Sequence, residues 1–205
     1  MQKKNYQEEI LNLIHSGLPQ QELAERLSDY HENDLADALA ALTPEERQKL
    51  YAVLGVERVA EIFSYLDDAE PYLKELPSEK AAKVVSNMDS DDAVDVLDEL
   101  DDTTQEKLVG MMDEESSHDI KMLQSYEDDE VGSLMTTNFV VIHDTLTIRQ
   151  AMRELIRQAG ENDNISTVYV IDKDNRFYGA IDLKDLIIAR EGTLLDDIVS
   201  TSYPY

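Results

Sequence analysis

The sequence predicts a mainly α-helical protein: an acidic superhelical repeat of short helices, about 12 residues each, followed by a small α/β domain of order β-α-β-β-α. Three observations carry this reading. A large apolar residue returns every twelve positions through the first half. Beyond residue 130 the pattern changes to β-branched runs separated by turn residues. The charge divides at the same place: residues 1–130 hold 34 acids and 11 bases, whereas 131–205 hold 11 acids and 7 bases.

The twelve-residue beat runs Leu18, Tyr30, Leu42, Leu54, Leu66 and, after one shortened interval, Leu76, Met88, Leu100, Met112. Cap-like stretches follow most of these residues: Thr43-Pro44-Glu45, Pro77-Ser78-Glu79, Asp89-Ser90-Asp91 and Asp101-Asp102-Thr103. Eight and nine positions after a beat the residues are again apolar, as in Leu50/Tyr51, Ile62/Phe63, Val84/Val85, Val96/Leu97 and Leu108/Val109. Each unit therefore reads as a helix of about two turns with a Ser/Thr/Asp cap. So short a helix is unstable alone, and stacking on neighbours gives its apolar face a shared core. The expectation is about ten such helices in a coil of either hand, forming an interaction surface rather than a catalytic scaffold.

A boundary falls at Tyr126–Glu130, giving a helical domain over 1–128 and an α/β domain over 129–205. Phe139–Ile142 reads as a strand, and Thr147 caps a helix through Ile156. Val168–Ile171 and Phe177–Ile181 are strands joined at Asp172–Asn175, where the residues suit a tight turn. Leu183–Arg190 reads as a closing helix.

Composition sets bounds on function. A net charge of -27 disfavours nucleic acid and anionic lipid as partners and favours cations or basic surfaces, with a solvated acidic exterior as the plainer alternative. Hydrophobic content of 42% is enough to fold, so the acidity is not that of a disordered tail. With no cysteine, disulfides, thiolate chemistry and Cys-ligated zinc are excluded. No apolar run approaches the roughly 20 residues that span a bilayer, and MQKKNYQEEI lacks a signal-peptide core, so the chain is expected to be soluble.

The acids are densest in Ser86–Glu130, with 17 acids and two lysines. Within it Asp89, Asp91, Asp92 and Asp95 open one predicted helix. Capping and the helix dipole account for Asp89, Asp91 and Asp92. Asp95 is less easily explained, since it repeats the charge of Asp91 one turn on, where like charges repel by about 0.2–0.5 kcal/mol. Such a pair, with no basic residue near it in sequence, suits a hard divalent cation that keeps part of its water shell. An EF-hand is excluded, because DSDDAVDVLDEL has Val94 at its sixth position and Leu100 at its twelfth; DKDNRF, with Arg176 fifth, is a hairpin turn. His15, His31, His118 and His143 are scattered and read as structural or exposed. No nucleophile–base order, Walker loop or G-x-G-x-x-G pattern is present, so an enzyme is the least expected class.

The segments LMTTNFVVI, TIRQAM and VYVIDKDNRFYGAIDLKDLI resemble a cystathionine-β-synthase-type (CBS) module, and TLLDDIVSTSYPY resembles the lead-in to a second one. Together with AEIFSYL, SNMDSDDAVDVLDEL and the junction SYEDDEVGSLMT, they make nearly the whole chain resemble the cytosolic portion of MgtE-type magnesium transporters and channels. The resemblance implies a second CBS module, a connecting helix and a membrane pore beyond this sequence, with the chain on the cytoplasmic face of the membrane. It implies Mg²⁺, or another divalent cation, as ligand. Asp91, Asp95 and Glu61 are the matching carboxylates, with Asp92 beside them and the backbone near Gly132 and Ser133 as a weaker candidate. The implied mechanism is a sensor in which acidic domains repel at low Mg²⁺ and compact at high Mg²⁺, closing the pore. CBS modules often bind adenine nucleotides. Asp185 matches the ribose position and Lys184 precedes it, but Asp182 replaces the usual Ser/Thr and Thr167 stands where an aromatic would stack, so ATP is the weaker expectation. CBS modules also pair, which implies a homodimer through an apolar face on Phe139–Ile142 and the Ala151–Ile156 helix.

Overall fold

The computed structural model describes residues 6–126, 135–160, 162, 164–190 and 192–202. The chain divides into two compact units, Met1–Met135 and Thr136–Tyr205. In the first, ten helices follow one another among the described residues: α1 Gln7–His15, α2 Gln20–Leu27, α3 Glu32–Leu39, α4 Pro44–Leu54, α5 Val56–Phe63, α6 Glu70–Lys74, α7 Ser78–Ser86, α8 Ser90–Asp98, α9 Asp102–Val109 and α10 Glu114–Leu123. The shortened interval of the repeat is α6, only five residues long.

The apolar pairs predicted to face inward do so. Leu50/Tyr51, Ile62/Phe63, Val84/Val85, Val96/Leu97 and Leu108/Val109 are all buried. The beat residues themselves lie mostly in the turns. In seven of them the beat residue's N–H donates to the carbonyl three residues back, as from Leu42 to Leu39 (3.1 Å), Leu66 to Phe63 (3.0 Å) and Leu100 to Leu97 (3.0 Å), which closes the helix while the side chain plugs the core's rim. Helices stack on their second neighbours: α1 on α3, α3 on α5, α5 on α7, α7 on α9, and likewise α2 on α4 and α8 on α10.

Polar groups join the same levels of the stack. Arg58 donates to the carbonyls of Leu27 and Tyr30, both at 2.8 Å, and Arg47 to those of Leu39 and Leu42, so each guanidinium adds a donor to the carbonyls at the end of an earlier helix. Arg47 also grips Glu75 with two nitrogens and lies over the Tyr72 ring. In the opposite sense, Glu99 accepts from the N–H groups of Ala69 (2.7 Å) and Glu70 (3.2 Å) at the start of α6.

Side-chain caps are fewer than the sequence led us to expect. Thr43 and Glu46 form a capping box, Asp101 accepts from Thr104 N and Asp113 from Ser116 N. At α7 and α8 the N-cap positions fall on Pro77 and Asp89, and neither side chain caps; Ser78 and Ser90 are already the first helical residues. His31 supplies a cap that the sequence reading did not assign, its Nδ1 accepting from Asn33 N at 3.2 Å.

The second unit contains β1 Val140–His143, α11 Ile148–Gln158, β2 Thr167–Ile171, β3 Phe177–Asp182 and α12 Leu183–Ile188, the expected β-α-β-β-α order. In the sheet, order β1-β2-β3, Val140 pairs with Val168 and Ile142 with Val170 in parallel; β2 and β3 are antiparallel. The parallel pair needs a crossover, and α11 provides it, started by the Thr147/Gln150 capping box. Gln158 covers the open edge of β1, accepting from Val141 N (2.9 Å) and donating to Val141 O (2.7 Å). The hairpin turns at Asn175, φ +58°, with Asp172 Oδ1 accepting from the N–H groups of Asp174 and Arg176.

Two expectations are corrected. The closing helix ends at Ile188 rather than Arg190, because Ala189 is extended (φ −59°, ψ 135°). The apolar face expected on Phe139–Ile142 and Ala151–Ile156 is mostly core: Val140, Ile142, Ala151 and Leu155 are buried by the sheet–helix packing, leaving Phe139 and Ile156 exposed. Ile187, Ile188 and Leu194 are exposed as well.

Ser200 forms a bridge to Ala180 on the far side of β3, each N–H donating to the other's carbonyl at 2.8–3.0 Å. A Cβ at Gly179 would sit 2.6 Å from the Ser200 oxygen. Gly179→Ala is therefore expected to destabilise this unit by about 1–3 kcal/mol. Urea unfolding followed by NMR should show the loss on the 136–205 amides and leave those of α1–α10 unchanged.

Candidate functional site

Three successive repeats place an aspartate at the N-cap: Asp89, Asp101 and Asp113. Asp101 and Asp113 accept from a first-turn N–H and from the hydroxyl of Thr104 or Ser116, and those hydrogen bonds hold both carboxyls below the ordinary aspartate range. Asp89 makes no capping bond. Three residues on from Asp89 stands Asp92, a carboxylate where α9 and α10 have the hydroxyls of Thr104 and Ser116.

The next two acids are compromised by their surroundings. Asp91 is half-buried, and its Oδ1 is fully buried with no hydrogen-bond partner. Asp92 is also half-buried. Burial pushes its carboxyl up from the ordinary value, and the charges of Asp91, Asp89 and Asp95 add to the rise, while a hydrogen bond from the Ser64 hydroxyl opposes it. Asp95, one turn beyond Asp91, is exposed. The start of α8 thus gathers carboxylates without the side-chain cap that Asp101 and Asp113 provide at α9 and α10.

Ser64 is the C-cap of α5, so its link to Asp92 brings the end of α5 to the start of α8. Glu61 lies three residues before Ser64, on the same side of that helix, and is exposed. No signal in the sequence singled out Ser64, whose part depends on helix stacking. Gly132 and Ser133 lie outside the described residues.

An all-oxygen set of carboxylates, one oxygen already dehydrated and unpartnered, fits a hard cation such as Mg²⁺, which uses one or two carboxylates and keeps several waters. Among the described residues no group of three or more histidine, aspartate or glutamate side chains is placed so that it could hold a metal ion.

In the second unit Asp182 caps α12, its Oδ1 accepting from Lys184 N at 2.8 Å. Its carboxylate thus has a structural task at the position where a nucleotide-gripping hydroxyl would stand. Lys184 and Asp185 occupy the first turn of α12 and are exposed. A separate cleft of about 940 Å³ carries Asp144, Arg149, Arg153, Tyr178 and Asp196, with neither Lys184 nor Asp185 among its lining residues. The Tyr178 hydroxyl donates to Asp196 Oδ1 at 2.8 Å.

Residues 30–129 match the family described as the MgtE intracellular N domain, and 131–192 match the CBS domain. The magnesium transporter MgtE of Enterococcus faecalis is 35% identical over 164 residues, covering 78% of this chain and 36% of the transporter. That of Thermus thermophilus is 30% identical over 188 residues, covering 89% and 42%. The chain therefore spans well under half the length of these relatives. Among solved structures, the soluble part of a magnesium transporter superposes with a TM-score of 0.89 at 32% identity, covering 96% of this chain and 78% of that one. The cytosolic domain of the Mg²⁺ channel MgtE in complex with ATP gives 0.82 at 28% identity, covering 97% and 82%. No helix among the described residues is long and apolar enough to cross a membrane.

The acid face makes a prediction about stability. Because the folded state raises the Asp92 pKa, it binds that proton more tightly than the unfolded chain does; ionised Asp92 therefore costs stability, and the cost vanishes as pH falls through the carboxylate range. Asp92→Asn is expected to raise the urea midpoint of the metal-free chain at pH 7 and to change it little near pH 3. A lowered midpoint at pH 7 would show that the carboxylate is satisfied as it stands.

Proposed function

The chain belongs to the MgtE magnesium-transporter family, and from that premise we propose that it is a cytosolic regulatory part of such a transporter that senses intracellular Mg²⁺ and controls a membrane pore. The observation that carries the reading is the α8 start, where Asp91 keeps a buried unpartnered oxygen and Asp92 is crowded by like charges. Asp91 and Asp95 are the proposed principal ligands, with Glu61 and Asp92 beside them and the backbone at Gly132 and Ser133 as further donors.

The ion's role in this reading is charge neutralisation. Without Mg²⁺, carboxylates on a chain of net charge -27 repel and favour extended arrangements. Mg²⁺ binds better where two carboxylates come together, so it shifts the population toward a compact state, which holds the pore closed. This cluster supplies few ligands, so affinity in the millimolar range follows, and the remaining positions are taken by water or by carboxylates elsewhere in the full protein.

A second reading concerns the CBS unit, favoured by the ATP complex formed by a relative. Here Lys184 and Asp185 would grip the phosphate and ribose. The capping role of Asp182 weakens it. ATP binding that persists in chelator and is lost in Asp185→Ala would establish it. Pairing of two chains through the exposed Ile187, Ile188 and Leu194 is the proposed route to a homodimer. Light scattering should then give twice the chain mass, and Ile187→Asp should return it to the monomer.

Mg²⁺ titration tests the leading reading. Calorimetry should show saturable binding, and small-angle scattering a smaller radius of gyration at millimolar Mg²⁺. Asp91→Ala combined with Asp95→Ala is expected to weaken binding at least tenfold. An unchanged Mg²⁺ response in that double variant removes both residues from the site.

A further inference from the structure

One edge of the sheet in the second unit is closed by a side chain. β1 lies outermost in the order β1-β2-β3, and in a parallel pair alternate residues turn their backbone groups away from the neighbour. Asp144 N donates inward to Ile171 O at 2.9 Å, which puts the backbone groups of Phe139, Val141 and His143 on the outer side. Nearby backbone takes up part of this edge: Phe139 N donates to Thr137 O at 3.0 Å, and His143 O accepts from Leu146 N at 3.2 Å. At Val141 both groups go to Gln158 instead, the N–H to Oε1 at 2.9 Å and the carbonyl accepting from Nε2 at 2.7 Å. The amide thus offers the edge one acceptor and one donor, as a residue of a neighbouring strand does.

Gln158 is itself held in place. Its Nε2 also donates to Glu154 Oε1 at 2.9 Å, one turn back on α11. Arg157 donates to that same oxygen at 2.6 and 3.0 Å, which fixes the carboxylate. With Nε2 committed to two oxygens, Oε1 is the atom that faces the Val141 N–H.

What the clasp keeps out follows from the strand. Phe139-Val140-Val141-Ile142 is apolar, lacks proline and glycine, and has three β-branched residues among its four, a composition that pairs readily with itself. Two copies of a chain of net charge -27 repel over most of their surface, yet residues 139–143 include no acid. Val141 is the midpoint of the outward residues 139, 141 and 143. Two β1 strands set antiparallel about it are therefore related by a two-fold axis, each Val141 exchanging both backbone bonds with its twin. Phe139 of each copy then faces His143 of the other, and both residues are exposed.

We propose that Gln158 is a latch that holds the β1 edge closed against a second copy of this chain, and that releasing it lets two β1 strands pair antiparallel across Val141. This surface is separate from the acid cluster of α8 and from Ile187, Ile188 and Leu194.

Gln158→Met removes both bonds while keeping a side chain of similar length and helix propensity. Sedimentation equilibrium should show it to self-associate at least about tenfold more tightly than the otherwise identical chain, since two competing hydrogen bonds are gone from each copy. Hydrogen exchange at the Val141 amide should be faster than in the parent when the variant is dilute, and slow again as its concentration rises. Val141→Pro, added to Gln158→Met, should abolish the gain, because it deletes the donor at the centre of the pair on the outward side of an edge strand. Gln158→Glu keeps an acceptor for the Val141 N–H and loses the donor, so it should give a smaller gain; it carries the test if Gln158→Met disturbs the amide spectrum of 136–205. Each comparison is made with and without Ile187→Asp, so that pairing through Ile187 affects both members alike. Association of Gln158→Met and Gln158→Glu equal to the parent's would overturn the proposal. So would a gain that leaves Val141 exchange fast, or one that survives Val141→Pro.

Discussion

Every feature of the helical unit depends on one constraint: a helix of two turns is too short to hold itself together in water. Its apolar stripe must be buried against another helix. Here the partner is the second neighbour, so that α3 lies on α5, α5 on α7 and α7 on α9. The long-range hydrogen bonds obey the same spacing. Arg58 reaches back to Leu27 and Tyr30, Glu99 to Ala69, and Lys107 to Ser78, each close to thirty residues away. Two helices and their turns make up that separation. The polar links thus join the same levels as the apolar contacts and serve backbone groups that short helices leave open in unusual number.

The same constraint explains why the acid is not uniform in its effect. A repeat offers equivalent positions, and evolution has filled the N-cap three times with aspartate. At Asp101 and Asp113 a hydroxyl and an N–H absorb the charge. At Asp89 the equivalent hydroxyl position holds Asp92, and the first turn becomes a cluster of like charges. Stacking then buries part of Asp91 and Asp92, where repulsion is less screened than at the surface. A repeat can therefore gather like charges at one helix start while its neighbours keep ordinary caps.

The CBS unit solves an unrelated problem, the exposed edges of a three-stranded sheet. Gln158 satisfies the outer side of β1, and Ser200 pairs with Ala180 beyond β3. The close approach of Ser200 accounts for glycine at 179. Its helices keep Ile156, Ile187 and Ile188 in contact with solvent, and Phe139, Phe177 and Leu194 are exposed as well.

Periodicity made the element order legible. The twelve-residue beat and the paired apolar positions eight and nine residues later depend on local spacing, and burial follows them closely; so do the Thr43 and Thr147 caps, whose partners lie three residues away. The acids of α8 were legible as a cluster for the same reason. What lay beyond local spacing was which charges are compensated. Asp89, Asp101 and Asp113 look alike in sequence, and Asp91 differs from its neighbours only because helices packed around it exclude water from one oxygen. Ser64 beside Asp92 and the burial of Val140 and Ile142 likewise come from residues brought together across tens of positions. Short-range geometry writes itself into a sequence as a period. Desolvation and long-range contact depend on the whole packed fold, and they leave no such mark.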